Sequence, residues 1–281
     1  MKILIAGDTH ADLAHLQYLI KVAQKERCDR VFVVGDFGYW EHFEWGVRFL
    51  DQLDMYANLK NMSVYFCDGN HDKTSLIIEK YDRPEYTDPE GFLKVRPYIR
   101  YAPRGHFWTW DHVGFMSLGG AYSVDKHSRL RREEHEGVPR GTHWFPEEEI
   151  TDDEMTEILL DWCDRESPTV DVVLAHDKPR GSEPGWIRRD ILECVPNQQR
   201  LQYALTQLVP MRYYHGHLHW PYDDEIVYEN FEGMLVRTVV EGLGCNDAGA
   251  ERFQAPEQSW AILDTDEIND TRKQWHETDI I

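Results

Sequence analysis

The chain has 281 residues, and 30 Lys and Arg against 51 Asp and Glu give it a formal net charge of −21 at pH 7. This length can bury a substantial core in one large α/β domain or two small ones, and the apolar fraction of 41% argues against a mainly disordered chain. The acidity disfavours a protein that holds long nucleic acid by neutralising phosphates, and no apolar stretch approaches the roughly 20 residues that a membrane-spanning helix needs.

Short apolar strands alternate with amphipathic helices in the first part of the chain. The segments 3–6, 31–34 and 63–67 are strongly apolar, which indicates strands that are buried on both faces. Apolar residues recur every three or four positions over 13–23 and 43–57, as expected for helices that pack one face against a sheet. This alternation predicts an α/β fold.

The alternation is lost between residues 81 and 145, where prolines and glycines separate short aromatic segments. We expect hairpins and loops there, bordering the functional site, with strands near 107–110 and 113–118. Pro146 and the three glutamates that follow it favour the first turn of a helix that extends to Trp162.

The last part of the chain contains predicted strands that we expect to form a second sheet. The domain is predicted to end near residue 264, and residues 265–281 are predicted to form a polar, loosely held tail. The later strands are predicted at 172–175, 211–215, 226–228, 234–240 and 260–263.

The cysteines and the first residues bear on cellular location. Five cysteines without a C-x-x-C pair indicate reduced thiols rather than a disulfide framework. The apolar run that precedes Asp8 is too short for the core of a signal peptide. We therefore expect a cytoplasmic protein that does not associate with a membrane.

Polar clusters follow directly after predicted strands at five places. In α/β sheets, the carboxyl ends of parallel strands open onto one ligand crevice, so clusters that are distant in sequence should meet there. Taken singly, an Asp or His after a strand is more often a helix cap or a satisfied loop residue than part of a functional site. The clusters are Asp8-Thr9-His10, Gly35-Asp36, Gly69-Asn70-His71-Asp72, His176 and Gly216-His217-Leu218-His219.

The residue types in these clusters are those of a metal site. Two aspartates, an asparagine and four histidines supply oxygen and nitrogen ligands without thiolate, which fits Mn²⁺, Fe²⁺ or Zn²⁺. Seven such residues suggest two ions. Two divalent ions would also give this acidic protein the local positive charge that an anionic substrate needs.

The five motifs D-x-H, G-D, G-N-H-D, a lone His after a strand, and G-H-x-H resemble those of the calcineurin-like metallophosphoesterase superfamily, in the same order. The resemblance spans residues 8–219 and implies a four-layer fold, a two-sheet sandwich flanked by helices. It implies that one metal is held by Asp8, His10, Asp36 and His219, with Asp36 bridging to a second metal held by Asn70, His176 and His217.

The resemblance also implies a reaction. A hydroxide that bridges two metal ions would attack phosphorus, and the two ions would bind the phosphate oxygens of an in-line displacement. By the same resemblance, His71 would protonate the leaving group as general acid. We expect Asp72 to orient the His71 imidazole and to keep it protonated, as a neighbouring carboxylate generally does. The alternative for both residues is a cap on the next helix.

Departures from the superfamily's protein phosphatases bear on the substrate. The arginine of their G-D-x-x-D-R-G motif is missing after Asp36. The chain thus resembles the small bacterial and phage phosphodiesterase-type members, with Mn²⁺ as the expected metal and nucleotide-sized diesters, including cyclic nucleotides, as expected substrates. The alternatives are a phosphomonoesterase or phosphoprotein phosphatase, a nuclease, which the acidity disfavours, and a scaffold without activity.

Residues 119–132 contain the densest basic segment of the chain and resemble a loop found in some of these members. Lys126, Arg129 and Arg132 are candidates to contact substrate phosphate or ribose, and solvated loop charge is the alternative. Four aromatic residues near the motifs are either core residues or platforms on which a base could stack. They are Tyr39, Trp40, Trp144 and Trp220.

Overall fold

A computed structural model describes residues 1–166, 168–185, 192–246 and 255–278 of the chain. These residues form an α/β sandwich of two mixed six-stranded sheets with helices packed on the outer faces. The strands are β1 (Lys2–Ala6), β2 (Arg30–Val34), β3 (Ser63–Cys67), β4 (Leu93–Arg96), β5 (Ile99–Tyr101), β6 (Phe107–Trp110), β7 (Val113–Leu118), β8 (Val172–Ala175), β9 (Arg212–His215), β10 (Tyr222–Glu229), β11 (Leu235–Gly242) and β12 (Trp260–Asp264). The helices are α1 (Leu13–Lys25), α2 (Glu44–Lys60), α3 (Thr74–Tyr81), α4 (Lys126–Glu136), α5 (Asp152–Asp164), α6 (Val195–Leu208) and α7 (Thr265–Thr278).

Each sheet has parallel strands at its centre. The first sheet has the order β12-β1-β2-β3-β5-β4, and β1, β2, β3 and β5 run parallel. The second has the order β10-β11-β9-β8-β7-β6, with β11, β9, β8 and β7 parallel. The carboxyl ends of these parallel strands are therefore the places where a shared crevice is expected.

Both faces of the central strands are buried, as the apolar runs predict. Along β1, Ile3 packs between the two sheets in the same cluster as Phe115 of β7, whereas Leu4 packs under α1 and α2. On the other side of the sandwich, Met116 packs with residues of α5 and α6. Among the described residues, no helix combines the length and apolar character that crossing a membrane requires.

The basic segment near residue 126 is a helix, α4, rather than the predicted loop. Its two buried residues are Arg129 and Glu133. The Glu133 carboxylate accepts hydrogen bonds from the backbone N–H groups of residues 142–144. Because polar rather than apolar side chains anchor α4, apolar periodicity could not indicate it.

The end of the chain also differs from the prediction. β12 pairs antiparallel with β1 and so extends the first sheet, not the second. The predicted loose tail is instead helix α7, whose Ile268 is buried in the core and whose Thr265 amide donates to the Met1 carbonyl. The helix predicted from Pro146 begins later, at Asp152, because Thr151 and Glu154 form a capping box there.

Candidate metal centre

The motif residues lie at the carboxyl ends of parallel strands from both sheets. Asp8 and Asp36 follow β1 and β2, and Asn70 follows β3, so the first sheet supplies these three. His176 follows β8, and His217 and His219 follow β9, so the second sheet supplies the other end of the site. Bringing the two sheets face to face therefore assembles the site.

One group of four side chains is tight enough to hold a single ion. One ligand atom from each of Asp8, His10, Asp36 and His219 lies within 4.8 Å of the others, and we call this group the Asp/His cluster. The Nε2 atom of His219 lies 2.9 Å from Asp8 Oδ2, and the Nε2 atom of His10 lies 3.4 Å from Asp36 Oδ2.

The other three predicted ligands lie beside this cluster, and we call them the second trio. The Nε2 atom of His176 lies 3.0 Å from Asn70 Oδ1 and 3.4 Å from Asp36 Oδ1. The imidazole rings of His176 and His217 are 5.1 Å apart between centroids. The two oxygens of Asp36 thus face different groups: Oδ2 faces the Asp/His cluster and Oδ1 faces the second trio.

The backbone around the site is unusual for residues other than glycine. His10, Asp36, His217 and His219 have φ angles of 45°, 46°, 62° and 53°, in the left-handed region that side chains disfavour. Such conformations are strained, and they cluster at functional sites. The chain also approaches itself closely here, since a Cβ atom added to Gly216 would lie 2.0 Å from Asp8 Oδ1.

Hydrogen bonds fix the orientation of two of the imidazoles. The Nδ1 atom of His176 lies 3.0 Å from the carbonyl oxygen of Val34, which can only accept, so this nitrogen carries the proton. The Nδ1 atom of His10 lies 2.9 Å from Asn246 Oδ1. Both rings therefore turn Nε2 towards Asp36, as metal-binding histidines do when an outer partner holds the other nitrogen.

Charges within the site balance each other. Burial opposes ionisation of Asp36, but His71 and His176 hold the pKa of its carboxyl group well below the usual range. Burial also opposes ionisation of Asp8, but the neighbouring His219 lowers the pKa of the Asp8 carboxyl group to about 2. Burial disfavours charge on His176 too, yet Asp36 and Asp8 raise its pKa to about 10. The carboxylates and imidazoles of the site thus offset part of each other's cost of burial.

The donor set fits divalent metal ions. Asp8 Oδ2 is buried and accepts no well-aligned hydrogen bond from the described residues, which leaves its lone pairs open to a cation. The seven predicted ligands offer carboxylate, carboxamide and imidazole donors, the mixture that suits Mn²⁺, Fe²⁺ or Zn²⁺. The residues present could therefore hold one ion in the Asp/His cluster and a second between Asp36 and the second trio.

His71 lies at the edge of the site, and Arg129 covers it. The His71 ring is 5.4 Å from that of His10, and its backbone N–H donates to Asp36 Oδ1 at 2.7 Å. The Arg129 guanidinium contacts both ring nitrogens of His71, and its Nη2 atom lies 2.9 Å from Nδ1. Burial lowers the pKa of His71 to about 4 and Arg129 adds to this, whereas Asp36 opposes it.

Asp72 does not orient the His71 imidazole as the sequence led us to expect. Its buried carboxylate instead accepts hydrogen bonds from the backbone N–H groups of Phe37, Gly38, Tyr39 and Gly69, at 2.6 to 3.1 Å. Burial and the neighbouring Asp36 raise the pKa of Asp72 to about 7, against these hydrogen bonds. Asp72 therefore ties the loop after β2 to the loop after β3.

The three predicted substrate contacts are placed differently from one another. Arg129 reaches the site through His71, while the Lys126 ammonium lies over the Trp144 ring, 4.2 Å from its centroid. Arg132 is exposed and pairs with Glu136, so the structure does not bring it to the site.

Besides Trp144, which lies against Lys126, the other three aromatic candidates also differ in their surroundings. Tyr39 is fully buried in the core. The indole N–H of Trp40 donates to the His71 carbonyl at 2.6 Å, so this residue does border the site. Trp220 is 40% exposed.

Two residues that touch the predicted ligands, and a third that holds one of these two, lie outside the sequence motifs. They are Asn246, which binds His10, and the pair Ser123 and Glu148, which is linked to Asn70. No spacing signal connects them to the ligands, because loops that are distant in sequence carry them.

The sequence matches a known protein family. The family profile described as calcineurin-like phosphoesterase matches residues 1–221. No curated protein sequence matches the chain.

Two solved structures share the fold at low sequence identity, and a third aligns less well. One crystal structure aligns with a TM-score of 0.57 and 15% identity over 95% of each chain. The protein TT1561 of Thermus thermophilus aligns with a TM-score of 0.50 and 13% identity, over 87% of this chain and 89% of that one. A dimetal phosphatase from Danio rerio aligns with a TM-score of 0.49 and 13% identity, over 92% and 91%.

Proposed function

The chain belongs to the calcineurin-like phosphoesterase family, and we propose that it hydrolyses phosphodiesters of nucleotide size, including cyclic nucleotides, using two divalent metal ions. The observation that carries this proposal is the meeting of the Asp/His cluster and the second trio on opposite oxygens of Asp36. A shared carboxylate between two ligand groups is what a pair of ions at roughly 3.5–4 Å needs.

When bound, the two ions supply positive charge for the phosphate oxygens and lower the pKa of a bound water. The chain's own residues then divide the remaining work. Asp8, His10, Asp36 and His219 hold the first ion, and Asn70, His176 and His217 complete the second position beside Asp36. We propose Mn²⁺ as the metal, since Asp8, Asp36 and Asn70 add carboxylate and carboxamide oxygens to the imidazoles; Fe²⁺ and Zn²⁺ are the alternatives that the same donors fit.

His71 is proposed as the general acid for the leaving group. Its side chain is 31% exposed and lies next to both Asp36 and His10, so an incoming substrate can reach it. Burial and Arg129 lower the pKa of His71 in this arrangement, and a bound phosphate that draws the guanidinium away from the ring would favour the protonated imidazole that this role needs. Arg129, whose guanidinium contacts the ring nitrogens of His71, is proposed to contact the substrate phosphate beside that ring. A guanidinium has only donors to offer, and a phosphate oxygen accepts them better than an imidazole does.

A diester is favoured over a monoester by the loop after Asp36. The side chains of Phe37 and Tyr39 are buried in the core, and the ring of Phe37 stacks on that of Phe66 with 4.2 Å between the centroids. This loop therefore presents no cation at either position to a second negative charge on a monoester. A diester carries only one negative charge, so it does not need a further cation from this loop.

The test compares Mn²⁺-dependent rates on bis(p-nitrophenyl) phosphate and p-nitrophenyl phosphate, with the chelator-treated rate subtracted from both. We expect a clear preference for the diester, and 2′,3′- and 3′,5′-cyclic nucleotides should then be turned over. Hydrolysis of neither substrate after Mn²⁺ loading would contradict the proposal. Arg132→Met serves as a control, because that arginine pairs with Glu136 at the surface and should leave both rates unchanged.

A phosphomonoesterase is the second candidate, and the contact between Arg129 and His71 is the observation that favours it. A guanidinium can bind two oxygens of one phosphate, as a dianionic monoester requires. A monoester preference in the same assay would establish this second reading.

A further inference from the structure

Three buried polar side chains form a chain of hydrogen bonds that ends at the second trio. The Asn70 carboxamide nitrogen donates to Ser123 Oγ at 3.0 Å, and Ser123 Oγ donates to Glu148 Oε2 at 2.5 Å. Asn70, Ser123 and Glu148 are at most 3% exposed. We propose that Ser123 and Glu148 are positioning residues, which hold the Asn70 carboxamide with its Oδ1 atom turned towards the second metal position.

The direction of each hydrogen bond follows from the number of protons available. A serine hydroxyl has a single proton, and Ser123 donates it in the hydrogen bond to the Glu148 carboxylate. Ser123 Oγ can therefore only accept a hydrogen bond from Asn70. The carboxamide nitrogen must therefore face Ser123. Asn70 Oδ1 then points the other way, where His176 Nε2 lies 3.0 Å away. An asparagine that turned its NH₂ group to that side would offer a metal no lone pair.

Glu148 is itself held firmly. Its Oε1 atom accepts the backbone N–H of Ser123 at 3.1 Å, so both carboxylate oxygens bind the same residue. Its backbone carbonyl accepts the N–H of Ala121 at 2.8 Å. The loop after β7 and the segment before α5 are thus joined around this contact, and the Asn70 amide lies against a rigid support.

Residues that hydrogen-bond to metal ligands change metal affinity without contacting the ion themselves. Their removal costs on the order of 10- to 100-fold in affinity or activity. Here the effect should fall on one ion only, because the Ser123 side chain binds Asn70 of the second trio and Glu148, and neither belongs to the Asp/His cluster. This inference rests on the proposed role of Asn70 as a ligand of the second ion.

The experiment titrates metal-stripped protein with Mn²⁺ and counts free Mn²⁺ by its six-line electron paramagnetic resonance spectrum. Wild-type protein should bind two ions, and Ser123→Ala should retain the first while binding the second about 10- to 100-fold more weakly. Ser117→Ala is the matched control, because Ser117 is an equally buried serine that hydrogen-bonds to the Pro103 carbonyl. It should bind both ions as the wild type does.

A purely structural role for the pair would not weaken one ion selectively, so the difference between the two affinities is the decisive readout. Glu148→Gln replaces one of the two acceptor oxygens by a donor, and it should also weaken the second ion. This variant carries the test if Ser123→Ala fails to fold. Wild-type affinity for both ions in a folded Ser123→Ala or Glu148→Gln protein would overturn the inference.

Asn70→Ala separates this inference from the proposed function. Loss of the second ion in Asn70→Ala, with wild-type binding in Ser123→Ala and Glu148→Gln, would refute the positioning role alone. Two ions bound with wild-type affinity by Asn70→Ala would instead refute the proposed ligand set.

Discussion

Four buried aspartates lie at the carboxyl end of the first sheet, and they fall into two pairs with opposite surroundings. Asp68 and Asp72 are satisfied by the protein itself: Asp68 pairs with Arg104 and accepts from the Tyr101 hydroxyl, and Asp72 accepts four backbone N–H groups. Asp8 and Asp36 each accept one backbone N–H group, and their ionic partners are imidazoles.

This difference separates scaffold from site. A buried carboxylate costs several kcal/mol unless it is paired or hydrogen-bonded, so all four charges need compensation. Asp68 and Asp72 receive it from fixed donors, which makes them part of the framework. Asp8 and Asp36 receive most of this compensation from histidines that are themselves candidate ligands, so a bound metal ion can supply the positive charge instead. Burial alone would not distinguish the two pairs, whereas the partners do.

The largest expected effect comes from Asp36, which both ligand groups share. Asp36→Asn should reduce Mn²⁺-dependent hydrolysis by on the order of 1,000-fold, because the variant loses the shared negative ligand. The melting temperature of the wild type should rise on Mn²⁺ addition, and that rise should disappear in the variant. Retention of both ions by Asp36→Asn would contradict the assignment of Asp36 to the site.

The matching substitution in the scaffold pair is Arg104→Met, which leaves Asp68 buried without its cation. We expect a loss of about 3–5 kcal/mol in the free energy of unfolding, measured by urea denaturation. The folded fraction should still bind Mn²⁺. The surface pair of Arg132 and Glu136 provides the control, since Arg132→Met should cost less than about 1 kcal/mol.

Asp72→Asn tests whether Asp72 belongs to the scaffold or to the reaction. An asparagine offers one acceptor oxygen for four N–H donors, so stability should fall by about 2–3 kcal/mol. Its folded fraction should show the wild-type dependence of rate on the leaving group.

His71→Ala should instead slow the hydrolysis of substrates with poor leaving groups by about 100-fold or more while keeping both ions. A leaving-group dependence in Asp72→Asn like that of His71→Ala would restore the role expected from sequence.

Glu41 extends the comparison to a buried carboxylate that is not among the candidate ligands. It contacts Tyr39, Tyr81, Arg96 and Lys80. Burial opposes its ionisation, but these partners lower its pKa to about 2 from an ordinary value of 4.5. Because the folded-state pKa is lowered, this stabilisation is present above about pH 4.5 and lost as pH falls towards 2.

Glu41→Gln should therefore cost about 2–3 kcal/mol at pH 7 and nearly nothing near pH 2. Urea unfolding of both proteins across that range is the measurement. An equal cost at both ends of the range would show that packing, not charge, accounts for the effect.

The sequence predicts the centre of the fold well and indicates which residues meet at the candidate site, for a physical reason. Strands such as β1 and β2 are buried on both faces, so their apolar runs are visible without knowledge of their neighbours. Parallel strands also bring their carboxyl ends together, which explains why Asp8, Asp36 and Asn70 could be grouped from their positions alone.

Other features depend on contacts that only the folded chain reveals. Helix α4 is anchored by Arg129 and Glu133, so no apolar stripe indicates it. Asn246 and Glu148 approach the ligands from loops without a motif. Asp72 follows His71 in sequence, yet its carboxylate points to the backbone of residues 37–39, because adjacent side chains in a turn need not face the same group.

The most direct test of the central claim is the metal content of wild-type and Asp36→Asn protein. Both proteins are stripped with chelator, reloaded with Mn²⁺ and passed through gel filtration, and the ions that remain bound are counted per chain. The account predicts two ions in the wild type and the loss of the pair in Asp36→Asn. One ion or none in the wild type, or equal content in both proteins, would contradict a two-metal centre built around Asp36.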